Sequence, residues 1–408
     1  MAGFLAAAAF AVTMGVARTL LMGVAGFVLA RYRATVGGAA SWKDLARVNA
    51  DFLLPCPVLS LFPKGIDVHV LQELWPVVAL LVVLSCMWFL IGAIGGWLLL
   101  ARDQRHLLGF VAVSVAYPSP FGLPYPLMLS IIPQIDWLRD REDPKAFSAA
   151  VLMLSAFVYL LQIWTVGFTF YGRAAAQAPA PAGKGQPPAT PEPPELEAQN
   201  TQPPAAPVAD DASASCSETS ASEVALGGQP CLDGGSGGAG CVRGLQEIIN
   251  PLTVSLVLAF LVVMSPLRGA FVTSPLFDAL EFVAGAAVPL TLVLMGAGMA
   301  RPPTAREGCS DLRWRSALIV VFLRLVVANL MGSAVVGAFW NAGLIKDRLV
   351  ALCMYCICCS PTAPNLSVVS GVQDAYVQPT AMALFAMSVA AVPVILVSVT
   401  VYVVILTP

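Results

Sequence analysis

Apolar residues run through this chain in long blocks separated by short polar turns, and most blocks have no polar face. A helix needs about 20 mostly apolar residues to cross a bilayer. That rule picks out ten segments, at approximately 6–30, 45–63, 74–100, 107–133, 146–171, 248–270, 276–300, 314–340, 348–371 and 378–406. The expected fold is therefore an all-α polytopic membrane protein with ten transmembrane helices. The first block is too long for a signal-peptide core and reads as a retained helix.

Two segments break their own pattern. The fourth carries "AYPSPFGLPYP" (Ala116–Pro126) and the ninth carries "CSPTAPN" (Cys359–Asn365). Each proline removes a backbone donor and collides with the carbonyl one turn back, so both helices should be interrupted. Segments two and seven also echo each other, with Pro57-Val-Leu-Ser-Leu and Pro289-Leu-Thr-Leu-Val at similar depths. Interrupted helices at corresponding positions of two halves point to the binding site of a secondary transporter.

Between the fifth and sixth segments the composition changes. Residues 174–243 are rich in Ala, Pro, Gly and Ser and cannot bury enough apolar area to offset the entropy of ordering. The expected organisation is a first five-helix repeat over 1–171, a disordered cytoplasmic linker over 172–246 and a second five-helix repeat over 247–408. An odd number of helices per half makes the two repeats inverted. With both termini outside, inside loops hold thirteen Lys/Arg and outside loops seven, as the positive-inside rule requires.

Composition agrees with the pattern. The 408 residues are 58% hydrophobic and 11% charged, against about 25% charged in soluble domains, and mean hydropathy is +0.79. A net charge of −2 with no basic patch gives no sign of a nucleic-acid partner. Ten cysteines include the cluster Cys353, Cys356, Cys358 and Cys359. No second pair or histidine completes a ligand set, so they read as small apolar packing residues and no metal is expected. The two histidines, His69 and His106, read as solvated loop residues. No nucleophile-base set, phosphate loop or cofactor motif appears, so no catalytic residue is assigned and the protein is not read as an enzyme. Gly92/Gly96 and Gly296/Gly298 read as sites of close helix packing.

The candidate chemistry sits at the breaks. Unpaired backbone groups are tolerated at membrane depth only where they are buried in protein or line a wet cavity. A half-helix that starts after a break points its positive dipole end and free N–H groups into that space. Two such ends crossing near mid-membrane make an anion site. Asn365 can add an amide donor, or simply cap its half-helix. Ser119, Ser360 and Thr362 can add hydroxyls. Four ionisable residues also fall within the segments: Arg18, Asp51, Glu281 and Arg324. Intramembrane charge is costly and therefore a functional candidate by default. Asp51 and Glu281 lie near segment ends, whereas Arg18 and Arg324 lie deeper. Arg18, Asp51 and Arg324 are the candidates for a charge pair or an anion path. No acid lies deep in segments three, four, eight or nine, which argues against proton coupling.

The stretches "LARVNADFLLPCPVLSLFPKG" (Leu45–Gly65), "FGLPYPLMLSIIP" (Phe121–Pro133), "AAVPLTLVLMGAGM" (Ala286–Met299) and "SPTAPNLSVVSGV" (Ser360–Val372) resemble the auxin efflux carrier family, most closely its PIN-LIKES branch. The resemblance covers all ten segments but not the linker. It implies that helices one, two, six and seven form a dimerising scaffold and the other six a transport domain. It further implies that helices four and nine cross at their prolines and that the substrate carboxylate binds beside the crossing, with an elevator-like movement exchanging access. Pro124 and Pro361 or Pro364 match the crossing prolines, and Asn365 matches the polar residue after the second break. Where relatives carry Asn before the first Leu-Pro, this chain has Gly122. The acid that some relatives carry in the third helix is also missing, since only Glu73 stands near its start.

Together these readings predict secondary transport of a small organic anion, auxin or another carboxylate. The substrate-binding candidates are Ser119, Gly122, Pro124, Ser360, Pro361, Pro364 and Asn365, with no cofactor. The partners implied are the anion, the lipid bilayer of the endoplasmic reticulum or plasma membrane, and a second copy through the scaffold helices. The alternatives are a ligand-binding membrane receptor or scaffold, and a sodium-coupled symporter of bile-acid type.

Overall fold

The computed structural model describes residues 2–36, 42–66, 68–120, 122–138, 143–176, 251–301 and 310–407. Among them are α1 (Ala2–Val36), α2 (Trp42–Val48), α3 (Pro55–Gly65), α4 (Val68–Glu73), α5 (Trp75–Leu99), α6 (Leu108–Ala116), α7 (Pro124–Ile131), α8 (Pro144–Gln162) and α9 (Phe168–Ala176). The second half of the chain adds α10 (Pro251–Met264), α11 (Arg268–Val272), α12 (Pro275–Ala300), α13 (Ser310–Phe322), α14 (Asn329–Asn341), α15 (Arg348–Cys358), α16 (Asn365–Gln373) and α17 (Val377–Leu406). The described residues contain no strand, only one isolated bridge between Pro118 and Thr362.

Seven helical stretches are long and apolar enough to cross a membrane: Ala6–Tyr32, Trp42–Gly65, Trp75–Leu99, Pro144–Arg173, Pro275–Ala300, Trp314–Asn341 and Val377–Leu406. They coincide with expected segments one, two, three, five, seven, eight and ten. Segment six holds the shorter apolar helix α10. Segments four and nine are each split, into α6 and α7 and into α15 and α16. The start of the expected linker needs correction. α9 continues to Ala176, so residues 172–176 are helical, and residues 177–250 lie outside those described.

Three spans change pitch without ending. Single π turns occupy Asn49–Leu53, Ile163–Gly167 and Leu323–Ala328. Such turns insert an extra residue into the helical ladder and re-aim the side chains around them. Large apolar side chains such as Leu21, Leu98 and Phe282 stand exposed on the outside, as expected of helices that face lipid tails.

The helices on either side of the linker form one compact unit. Within it α1 packs on α12, α12 on α3 and α3 on α10. The other helices pack mainly around α5–α6 and α13–α17, and α1, α2 and α12 touch α7, α16 and α17 across the boundary. The α1–α12 seam depends on glycine. A Cβ on Gly26 would fall on the Val293 carbonyl, and one on Gly296 would fall on the Gly23 carbonyl. Gly92 plays the same part between α5 and α6, where a Cβ would lie 2.7 Å from the Ala112 Cα. Small residues at both pairs therefore let the backbones meet.

Replacing Gly296 by Leu should drive α1 and α12 apart. Overpacking of this kind costs about 1–3 kcal/mol, so the purified protein should melt several degrees lower. Gly285→Leu is the matched control, because nothing lies within 4 Å of a Cβ there. Equal melting temperatures for the two variants would contradict the assignment of this seam.

Candidate functional site

Both split helices stop where proline dictates. A residue before proline is pushed out of the α region, and Tyr117, before Pro118, is extended with φ −116° and ψ 99°. The links Tyr117–Ser119 and Pro361–Ala363 then run antiparallel past each other. Ser119 N–H donates to the Pro361 carbonyl at 2.9 Å, and Ala363 N–H donates to the Tyr117 carbonyl at 3.0 Å. Pro118 and Thr362 face each other between these bonds, a non-hydrogen-bonded position of an antiparallel pair. Pro118 therefore stands where the bridge needs no N–H from it, and Pro361 takes part through its carbonyl alone.

Breaking a helix strands the carbonyls of its last turn, which normally accept from residues four places on. Pro118 cannot serve Ser114, and Pro361 cannot serve Ile357. Side chains replace the missing donors. Thr362 Oγ1 donates to the Ser114 carbonyl. Arg324, within the π turn Leu323–Ala328, serves the rest. Its Nη1 donates to Val115 at 3.3 Å, its Nη2 to Ile357 at 3.2 Å and Cys358 at 3.4 Å, and its Nε to Ser360 at 3.1 Å. The guanidinium lies 4.4 Å from the centre of the Trp88 ring, close enough for a cation–π contact. Trp88 Nε1 in turn donates to the Ala328 carbonyl at 2.9 Å. Arg324 is 0% exposed.

On the far side of the crossing the second half-helices begin. α7 starts at Pro124, and with Pro126 also lacking an N–H its first turn offers few donors; Leu127 N–H returns to the Leu123 carbonyl. In α16, Leu366 and Ser367 N–H groups return to Ala363 and Pro364. The expectation of many free N–H groups at both ends is therefore corrected: proline and tight turns use most of them. Asn365 is the polar group left over. It is half-buried, it is the first residue of α16, and its side-chain amide has no partner among the described residues. No side chain caps this helix start, so the capping reading of Asn365 does not hold.

The other candidates divide by what they touch. Ser119 is buried, and its Oγ accepts from Gly122 N–H at 3.1 Å. A Cβ on Gly122 would lie 2.8 Å from that Oγ, so any side chain at 122 must displace the Ser119 hydroxyl. Ser360 is not free for a ligand, since its hydroxyl donates to the Ile357 carbonyl at 2.8 Å. Pro124 and Pro361 are buried framework and Pro364 is half-buried. Arg18 and Asp51 lie exposed on their helices, and neither joins an ion pair among the described residues. Arg324, a candidate for a charge pair or an anion path, bonds backbone carbonyls and joins no ion pair among the described residues. Glu73 lines a cavity of about 280 Å³ with Lys346 and Asp347, which shares no residue with the crossing. The four clustered cysteines are buried, and no group of metal ligands occurs among the described residues. His69 and His106 are exposed but lie in short helical turns rather than loops.

Sequence reasoning missed two features. Trp88 gives no local signal of its contact with Arg324. Asn49, fully buried, donates to Thr291 Oγ1 at 2.9 Å, and Thr291 donates onward to the Ala287 carbonyl at 2.8 Å. Ser367 of α16 approaches the Thr291 carbonyl at 3.5 Å. This pair therefore sits beside the half-helix that begins at Asn365.

A family model described as membrane transport protein matches residues 11–399. The chain belongs to the membrane transport protein family, that of the auxin efflux carriers. No curated protein matches it. Membership, together with seven candidate spans, makes this carrier-family member an integral, multi-pass membrane protein. The match runs through both split helices, so the crossing lies within the matched residues.

Thr362→Val should leave the Ser114 carbonyl buried and unserved, a loss of about 1–3 kcal/mol visible as a lower melting temperature. Thr362→Ser keeps the hydroxyl and should melt near the parent. If Val and Ser variants behave alike, the hydroxyl is not what holds this helix end.

Proposed function

We propose that the protein is a secondary transporter that carries a small organic anion, auxin or another carboxylate, bound beside the crossing of its two broken helices. Ten membrane segments arranged as two inverted five-helix repeats underlie this reading, with α6/α7 and α15/α16 as segments four and nine. Both termini lie outside and the linker faces the cytoplasm. α1–α3 and α10–α12 act as a scaffold, and through it two copies associate. The remaining helices move as a unit, carrying the crossing from one face of the membrane to the other in an elevator-type step. The division into these two packed groups, joined across a boundary that includes the start of α16, supports that mechanism.

The observation that carries the reading is the position of Asn365. A half-buried amide with no partner among the described residues stands at the positive end of a half-helix, directly after the crossing. Asn365 holds one carboxylate oxygen, the dipole of α16 favours the negative charge, and Ser119 with the Gly122 backbone borders the other side. Apolar walls such as Leu123 accept the hydrophobic part of an amphipathic acid. Gly122 in place of a side-chain amide removes one donor from this cradle, which favours a carboxylate different from auxin or a weaker grip on it.

Labelled indole-3-acetate and benzoate, presented to proteoliposomes of the purified protein, test the proposal. Saturable flux is expected, unchanged when sodium is replaced by potassium. Asn365→Ala should raise the half-saturating concentration about tenfold, the loss of one hydrogen bond to a charged group. Saturable binding without flux would favour a receptor, sodium dependence would favour a coupled symporter, and an unaltered Asn365→Ala variant would remove the crossing as the binding site.

A further inference from the structure

Arg324 raises a question that its hydrogen bonds do not answer. A guanidinium stays protonated under all physiological conditions, and this one is fully buried within a membrane-spanning helix. No aspartate or glutamate is buried among the described residues, and the ion pairs Lys64–Glu281 and Arg301–Asp374 lie at the surface, away from it. The titratable groups nearest to it are Cys358, Cys359 and Tyr159, all neutral at physiological pH in their ordinary range. Its partners are the carbonyl ends of α6 and α15.

Those carbonyl ends lower the cost of the cation locally, because a helix C-terminus carries roughly half a negative charge. They do not neutralise the crossing as a whole. Each split helix presents a C-terminus on one side of its break and an N-terminus on the other. The partial charges of α6 and α7 offset one another, as do those of α15 and α16. Dipoles add no net charge, so the full unit of charge on Arg324 remains.

We propose that Arg324 is the fixed positive charge that the cargo neutralises, so that the loaded carrier crosses the membrane without net charge and the empty carrier returns with one. This rests on the transport reading above and deepens it. Arg324 is bonded to the last turns of both split helices, so it moves with the crossing whatever the mechanical details. A monovalent anion beside Asn365 brings the buried charge at the crossing to zero. Such an arrangement selects against neutral cargo, which would leave an uncompensated charge to carry through the bilayer. Arg324 is thus a positioning residue for the backbone and a specificity determinant for the cargo, without touching it.

Exchange across proteoliposomes separates the two steps. With saturating unlabelled acid on both sides and tracer benzoate on one, only loaded crossings are counted. Exchange at −100 and +100 mV should then agree within about twofold, whereas a unit charge crossing the whole field would change it by roughly tenfold or more. Net efflux into acid-free buffer needs the empty return and should vary with potential. Arg324→Lys should keep exchange insensitive to potential, and Arg324→Gln should make it sensitive. The wild-type comparison decides by itself. Flux with potential-sensitive exchange would overturn the charge assignment while leaving the transport reading in place, and absence of any flux would overturn both.

Discussion

Five backbone carbonyls left without their helical donors set the terms for the rest of this structure. Ser114, Val115, Ile357, Cys358 and Ser360 lie where lipid and packed side chains exclude water, so each needs a donor from the protein. Thr362 serves the first and Arg324 reaches the other four, with the Ser360 N–H and hydroxyl also donating to Ile357. Because Arg324 reaches both broken helices at once, it ties their ends to each other as well as satisfying them. The two-bond bridge between Tyr117–Ser119 and Pro361–Ala363 adds direction. A crossing built this way is stiff, and it presents the beginnings of α7 and α16 at a defined separation from the rest.

The packing around the crossing is also close. The α1–α12 seam closes through glycine backbones with almost no room for adjustment. The boundary between that group and the crossing includes the Ser367 hydroxyl near the Thr291 carbonyl and the close approaches of Gly371 to Ala46 and of Gly15 to Leu123. The proposed elevator step places its movement at this boundary.

The breaks could be read in the sequence because proline acts locally: its missing N–H and fixed φ interrupt a helix in any surroundings. The ten apolar blocks could be read for a similar reason, since bilayer thickness sets their length. Arg324 could not be placed in the same way. Its depth was evident from its neighbours, but an arginine in a membrane helix suggests a carboxylate partner. That its acceptors are carbonyls from segments far away in the chain depends on the crossing itself. The same holds for Asn49 and Thr291, which meet only because α2 and α12 are packed together. Helix starts were misjudged for a local reason. Pro124, Pro126 and Pro364 remove N–H groups at the positions where free donors were expected, which leaves the Asn365 side chain more important than the backbone around it.

Membership of the membrane transport protein family states what kind of protein this is, and the proposed function puts its chemistry at the crossing. The central claim is that an organic acid binds with its carboxylate at Asn365. A density map of the purified protein with bound 4-iodobenzoate tests it most directly, since iodine marks the ring unambiguously and fixes where the carboxylate lies. The account predicts the carboxylate within hydrogen-bond distance of the Asn365 amide, with the iodine toward Leu123 and the scaffold helices. Iodine bound elsewhere, with the crossing empty at saturating acid, would contradict it.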